Sequence, residues 1–241
     1  MAQQWIDDGI ADMTDRLRSK AIGTGPDDLD PDDPFDLAFY RSQIAEAAAP
    51  ILRQAYEAAG QLALRQTGSG LRFDMRAPRA ERFLLNRTQR FAQEVSQVRW
   101  DRLKASLNAG VQAGEGIDEL AARVAGGMQV TRTSAETIAR TEVISAYNGG
   151  TLEGFQQSGI VASKIWLAAL DDRTRDTHTA LHGQTVPVDD DFTSISGAEG
   201  PAPGQLGTPE EDINCRCAML AVLGENAPGA GGVVGTDAEE L

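Results

Sequence analysis

Apolar residues recur at helical spacing through the first two thirds of the chain and give way to strand-like runs only after Gly159. Trp5, Ile6, Ile10, Met13 and Leu17 fall on one face of 2–20, which predicts a short amphipathic docking helix. The stretch GTGPDDLDPDDP breaks the pattern, and 22–34 reads as a linker. A long helix is predicted from Phe35 to Gln66, kinked at Pro50 and ended by TGSG at 67–70. Another should run from Pro78 to Leu107, with Phe83, Leu84, Phe91, Val95, Val98, Leu103 and Leu107 along it. Joined by a short loop, the two make an antiparallel hairpin.

Ile117, Leu120, Ala121 and Val124 mark a further short helix, closed by Gly126 and Gly127. In TSAE, Thr133 is placed to cap a helix and Glu136 to complete a capping box, and this helix should run to Ser158. Inside it Thr141, Ser145 and Asn148 form a polar stripe, with Glu142 beside them. VASKIWLAAL (161–170), QTVPV and CRCAMLAVL are β-branched or apolar enough for strands, and DDRTRDTHTAL for a turn and a short helix. Residues 189–212 hold three prolines and few apolar side chains, so a long loop is expected. The Gly-, Ala- and acid-rich stretch after 224 predicts a disordered tail.

These elements make an α+β chain. A long N-terminal helical arm or hairpin occupies 1–112. A self-sufficient, compact module over 113–223 packs helices on a small, mainly antiparallel sheet, and an acidic tail covers 224–241.

Charge narrows the functional classes. With 36 acidic against 22 basic side chains the net charge is -14, which opposes a broad grip on phosphates. MRAPRAERFLLNRTQR (75–90) forms one local basic face, and the basic helix over 76–104 keeps a DNA contact open. No apolar run reaches the ~20 residues of a membrane span, and MAQQWIDDGIADM lacks the pattern of a signal peptide. No membrane partner is expected, and synthesis and folding are assigned to a cytoplasm. Two cysteines are too few for a disulfide framework.

Those cysteines, Cys215 and Cys217, stand close to the two histidines, His178 and His182, in the C-terminal region. On a strand the cysteines would share a face ~6.5–7 Å apart, too far for a bridge. Two thiolates with two imidazoles one helical turn apart form a four-ligand set that zinc accepts. The plainer alternative makes the cysteines small buried hydrophobes and has His178 hydrogen-bond across a loop. HTALH has Thr179 where a metallopeptidase helix needs its glutamate base. A divalent-metal nuclease built on Glu142, Asp171 and Asp172 is an alternative that capping and ion pairing explain equally well. Arg140, Glu142, Asp171, Arg173, Arg175 and Arg216 are expected to interlock as a structural ion-pair network between helix and sheet.

Four blocks, EGIDELAARV, IARTEVISAYNGGTLEGFQQSGI, W with DDRTRDTHTALHGQTVPVDDDF, and P with NCRC, lie in an order and spacing that resembles the phage Mu F-like minor head proteins. This group is also called the SPP1-type head morphogenesis family, and the likeness covers about 114–222. It implies a minor capsid or head morphogenesis protein of a tailed phage or prophage-like particle. Such a protein would bind the portal, or major capsid or scaffold components of the inner shell, during head assembly and DNA packaging. The implied location is the virion head interior or procapsid, after synthesis in the bacterial host cytoplasm. The resemblance implies no enzymatic activity. Some members carry toxin domains after this module, and the short acidic tail is read as the lack of one. Trp5, Ile6, Ile10, Met13 and Leu17 are the expected docking face for the partner. Two alternatives stay open, a DNA-contacting accessory inside the head and a metal-dependent enzyme.

Overall fold

A computed structural model of the chain describes residues 37–90, 105, 109, 112–113, 132–225, 227 and 233–234. The expected helix over 2–20 with its docking face, the linker and the short helix near 117–124 lie outside the described residues. Within them the fold is α+β, with every strand pair antiparallel.

Helix α1 spans Leu37–Gln66 and continues through Pro50, which is exposed. Its end is built locally: the Thr67 hydroxyl donates to the Leu64 carbonyl at 2.9 Å, and Gly68 and Gly70 take left-handed turns that a Cβ would strain. Helix α2 is described over 78–90, and α3 spans Arg132–Ser158. Thr133 was expected to cap α3, but Arg132 before it is already helical, so Thr133 lies within the first turn. At the other end Ser158 donates to the Phe155 carbonyl at 2.6 Å, and Gly159 turns left-handed to release the chain into the sheet.

Helices α1 and α3 lie against each other through small side chains. Ala48, Ile51, Leu52 and Ala55 meet Ala139, Val143 and Ala146, all buried. Further along, a Cβ on Gly150 would stand 2.1 Å from the Tyr56 carbonyl oxygen, and one on Gly154 2.6 Å from that of Gly60. The backbones approach that closely only because glycine leaves the space. Residues on either side of the expected boundary at 112 therefore share one core, and the module over 113–223 does not bury the α1-facing side of α3 by itself. The start of α2 closes this end, with Phe83 stacked on Tyr56 at 4.9 Å.

The sheet has the order β2-β1-β5-β6, formed by Thr185–Pro187, Val161–Leu167, Ala218–Leu223 and Val233–Val234. Strand β1 pairs with β5 in a register that places Trp166 opposite Met219. Val161, Trp166, Met219, Ala221 and Leu223 are buried with Leu152 and Phe155 of α3. Val233–Val234 was expected to belong to a disordered tail and instead forms the edge strand, because β-branched valines suit a ladder that β5 leaves open. The long loop expected over 189–212 also carries structure. It holds a two-stranded ladder, β3 (Phe192–Thr193) with β4 (Glu199–Gly200), and the short helix α5 (Pro209–Asp212). Helix α4 (Asp176–Leu181) lies between β1 and β2.

Lys164, at the middle of β1, is fully buried. Its ammonium donates to the Pro201 carbonyl at 2.8 Å and sits 5.3 Å from the centre of the Phe192 ring. Burial pushes its pKa down to about 8, against the opposing charges of Asp191, Asp189 and Asp190. Between about 8 and the ordinary 10.5 the unfolded chain binds a proton that the folded chain releases, so this group makes stability rise with pH. Wild type should gain on Lys164→Met by up to about 1.4 kcal/mol per pH unit across that window. Urea titrations of both proteins at several pH values would measure it, and parallel pH profiles would refute it.

Candidate metal centre

Two short elements and one turn converge on the inner end of β1. Helix α4 is amphipathic in a single turn, burying His178 and Leu181 at i and i+3. Helix α5 begins at TPEE, with Pro209 in its first turn where the missing N–H costs nothing, and it buries Glu211 and Asp212. The Asp212 carboxylate accepts the backbone N–H groups of Leu206 at 2.8 Å and Gly207 at 2.9 Å, pinning the loop before it. Asn214 then takes a left-handed conformation, φ 56°, which bends the chain back under α4.

That bend corrects the expectation for the cysteines. Cys215 and Cys217 precede β5, which starts at Ala218, because the left-handed residue breaks the extended run. Both are free thiols and both are buried. The polar stripe of α3 holds this turn in place. The Thr141 hydroxyl accepts the Asn214 N–H at 3.0 Å, and the Asn148 amide donates to the carbonyls of Cys217 at 2.9 Å and Pro203 at 3.2 Å. The Ser145 carbonyl accepts from Gln205 at 3.1 Å.

His178 Nδ1 faces both sulfurs, 3.3 Å from Cys217 Sγ and 3.9 Å from Cys215 Sγ. The Trp166 ring meets the imidazole edge-on, 5.6 Å between centres. On the far side of the imidazole Nε2 lies 3.0 Å from Glu211 Oε2. Glu211 in turn accepts hydroxyl hydrogen bonds from Ser196 at 2.6 Å, Thr177 at 2.8 Å and Ser194 at 3.1 Å. Those hydroxyls outweigh burial and hold its carboxyl below the ordinary range. The Cys215 thiol, hydrogen-bonded to Cys217, pulls the Cys217 pKa down to about 5 despite burial, and His178 adds to the effect. The same contact, with burial, pushes Cys215 well up. Burial disfavours a charged His178, but the Cys217 thiolate and Glu211 more than compensate and raise its pKa.

His182 is not part of this group. The helix ends at Leu181, and the imidazole turns outward to accept the Ala168 N–H at Nδ1, 3.2 Å away. The i, i+4 spacing shares a face only while the helix continues. The expected ion-pair network also divides. Arg216 grips both oxygens of Asp171, whose carboxyl is held well below the usual range by that hydrogen bond, while Arg173 lies 3.8 Å from the same group. Arg175 donates to the Ile213 carbonyl, and Arg140 is exposed on α3. Glu142 turns away from the sheet to a partner the sequence did not suggest. Arg87 of α2 binds it through Nε at 2.7 Å and Nη2 at 2.8 Å, with both side chains nearly buried. The signal for Arg87 was the need of a buried carboxylate for a cation, and the signal for Glu211 was the TPEE helix start.

The segments that hold this site in place, α3, β1, α4 and the Cys-Arg-Cys turn, are also those that known proteins share. Residues 101–220 match the family described as phage Mu protein F like protein. This module belongs to the phage Mu F-like family. The minor head protein GP7 of Bacillus phage SPP1 is 35% identical over 130 residues, covering 53% of this chain and 42% of that protein. The NAD(+)-arginine ADP-ribosyltransferase EFV of Enterococcus faecalis is 32% identical over 155 residues, 63% of this chain and 31% of that protein. The uncharacterized protein YqbB of Bacillus subtilis is 22% identical over 189 residues, 76% of this chain and 62% of its own length. The Mu F-like chain thus spans less than two thirds of each of these relatives. No solved structure matches it. The second relative overturns the expectation of no enzymatic activity, since a protein carrying an enzyme's name shares much of this chain.

Proposed function

We propose that this protein is a minor head protein of a tailed phage or prophage-like particle, acting in head assembly and DNA packaging and bound to the portal through the face of 2–20. The observation that carries the reading is the 35% identity to a minor head protein over 130 residues, beside the family match over 101–220. No helix among the described residues is long and apolar enough to cross a membrane. Portal attachment rests on the sequence of 2–20, where Trp5, Ile6, Ile10, Met13 and Leu17 repeat at helical spacing and suit a groove on a partner.

The DNA-contacting reading is weakened by the structure. Within 75–90, Arg87 is held by Glu142 and Arg79 by Glu153 at 3.1 Å, so two of its cations are already neutralised.

Full-length Ile10→Asp, co-expressed with portal, should be captured at least about tenfold less than wild type, since a charge in a docked apolar face costs more than the 1.4 kcal/mol of one decade. Its melting temperature should not change. Equal capture would place the anchor elsewhere, and absence of the wild-type protein from purified heads would refute the head role.

A further inference from the structure

We propose that His178, Cys215 and Cys217 bind zinc, with Glu211 behind the imidazole holding it in place. The three are the group of metal-ligating side chains that the described residues bring together, with their ligand atoms all within 4.8 Å of one another. Bond lengths of about 2.0 Å to nitrogen and 2.3 Å to sulfur in a tetrahedron put neighbouring ligand atoms about 3.3–3.8 Å apart. The observed 3.3 Å and 3.9 Å between imidazole nitrogen and the sulfurs bracket that spacing.

The surroundings separate this reading from its competitors. Small buried hydrophobes need no imidazole aimed between them, and they need no carboxylate behind it. Here Glu211 stands 3.0 Å from Nε2, within ion-pair reach though out of line for a hydrogen bond, beside the nitrogen that would carry the proton when Nδ1 binds a metal. Three hydroxyls fix that carboxylate, so its position does not depend on the histidine alone. A nucleophilic cysteine paired with histidine would need an approach for substrate, yet Cys215 is 1% and Cys217 4% exposed. A soft cation suits two thiolates and one imidazole better than magnesium or calcium, which take oxygen ligands. Bound there, the cation would tie α4 to the turn before β5, and through Glu211 to the loop at Ser194 and Ser196.

The test uses the full-length chain. Elemental analysis of protein purified without chelator should find about one zinc per chain. Chelator-stripped protein titrated with cobalt(II) should develop the intense absorption of thiolate-bound tetrahedral cobalt, displaced by zinc. Cys217→Ser and His178→Ala should lose both signals. Glu211→Gln should keep the cobalt spectrum but bind zinc about 10–100-fold more weakly, the effect expected of an outer-shell partner. Wild-type protein that carries no zinc, gives no cobalt bands and leaves both thiols equally reactive with and without zinc would overturn the site, even if the variants failed to fold. Unchanged affinity in Glu211→Gln would remove Glu211 from it.

Discussion

Glu142→Ala is expected to destabilise the protein by about 3–5 kcal/mol, because it strips a nearly buried guanidinium of its bidentate partner. A surface pair of the same type gives about 0–1 kcal/mol, so the magnitude itself reports the burial. Arg87→Ala should cost a similar amount by taking away the bidentate partner of the carboxylate. The two losses should not add, since each variant breaks the same pair. Replacing both with apolar residues, Arg87→Met with Glu142→Leu, should recover most of the loss, as a buried ion pair is costly to desolvate in the first place. Urea denaturation of these three variants and of the double alanine variant would decide, and a neutral Glu142→Ala would mean that α2 does not dock on α3 in solution.

Gly150→Ala should be nearly as damaging, by about 3 kcal/mol. Alanine in place of a helical glycine ordinarily stabilises by about 1 kcal/mol. Here the new methyl would lie 2.1 Å from the Tyr56 carbonyl oxygen, where about 3.3 Å is the closest comfortable approach. The obstacle is backbone, so no rotamer change relieves it, and α1 and α3 must move apart along their length. Gly149→Ala provides the control. Its methyl would meet the Phe83 ring at 2.5 Å, and a side chain at the edge of the core can shift. Calorimetry should therefore rank Gly150→Ala well below Gly149→Ala in melting temperature, and equal values would contradict the tight crossing.

The parts of this fold that were legible in the sequence are those with strong periodicity or strong punctuation. Helix α3 ends where Gly159 marks it, and β1 and β5 announce themselves through the β-branched and apolar runs VASKIWLAAL and AMLAVL. The union of α1 with α3 was hidden because alanine and glycine at the crossing give almost no hydrophobic signal, although they decide how closely the helices approach. The site was legible only in composition. That His178 and the cysteines converge could be suspected, but the left-handed Asn214 and the early end of α4, which bring in Cys215 and exclude His182, depend on a single residue's backbone each. Glu211 was the hardest to see, since Ser194 and Ser196 read as loop and Thr177 as part of a separate short helix until they surround one carboxylate. Solvated and buried polar residues look alike in one dimension.

The sharing of one core by α1 and α3 also sets a timetable for synthesis. The backbone N–H of Asp74 meets the side chain of Gln157, a partner 83 positions later in the chain. At 5–20 residues per second, the first hairpin must wait roughly 4–17 s on the ribosome before that partner is made. During this interval Ala48, Ile51, Leu52 and Ala55, which pack against α3 in the finished structure, have no α3 to cover them. Strand β1 waits as well, its inner edge open until β5 has emerged. A nascent chain of this kind is a natural client for a chaperone, and its yield should depend more on that holding step than on the stability of the final fold.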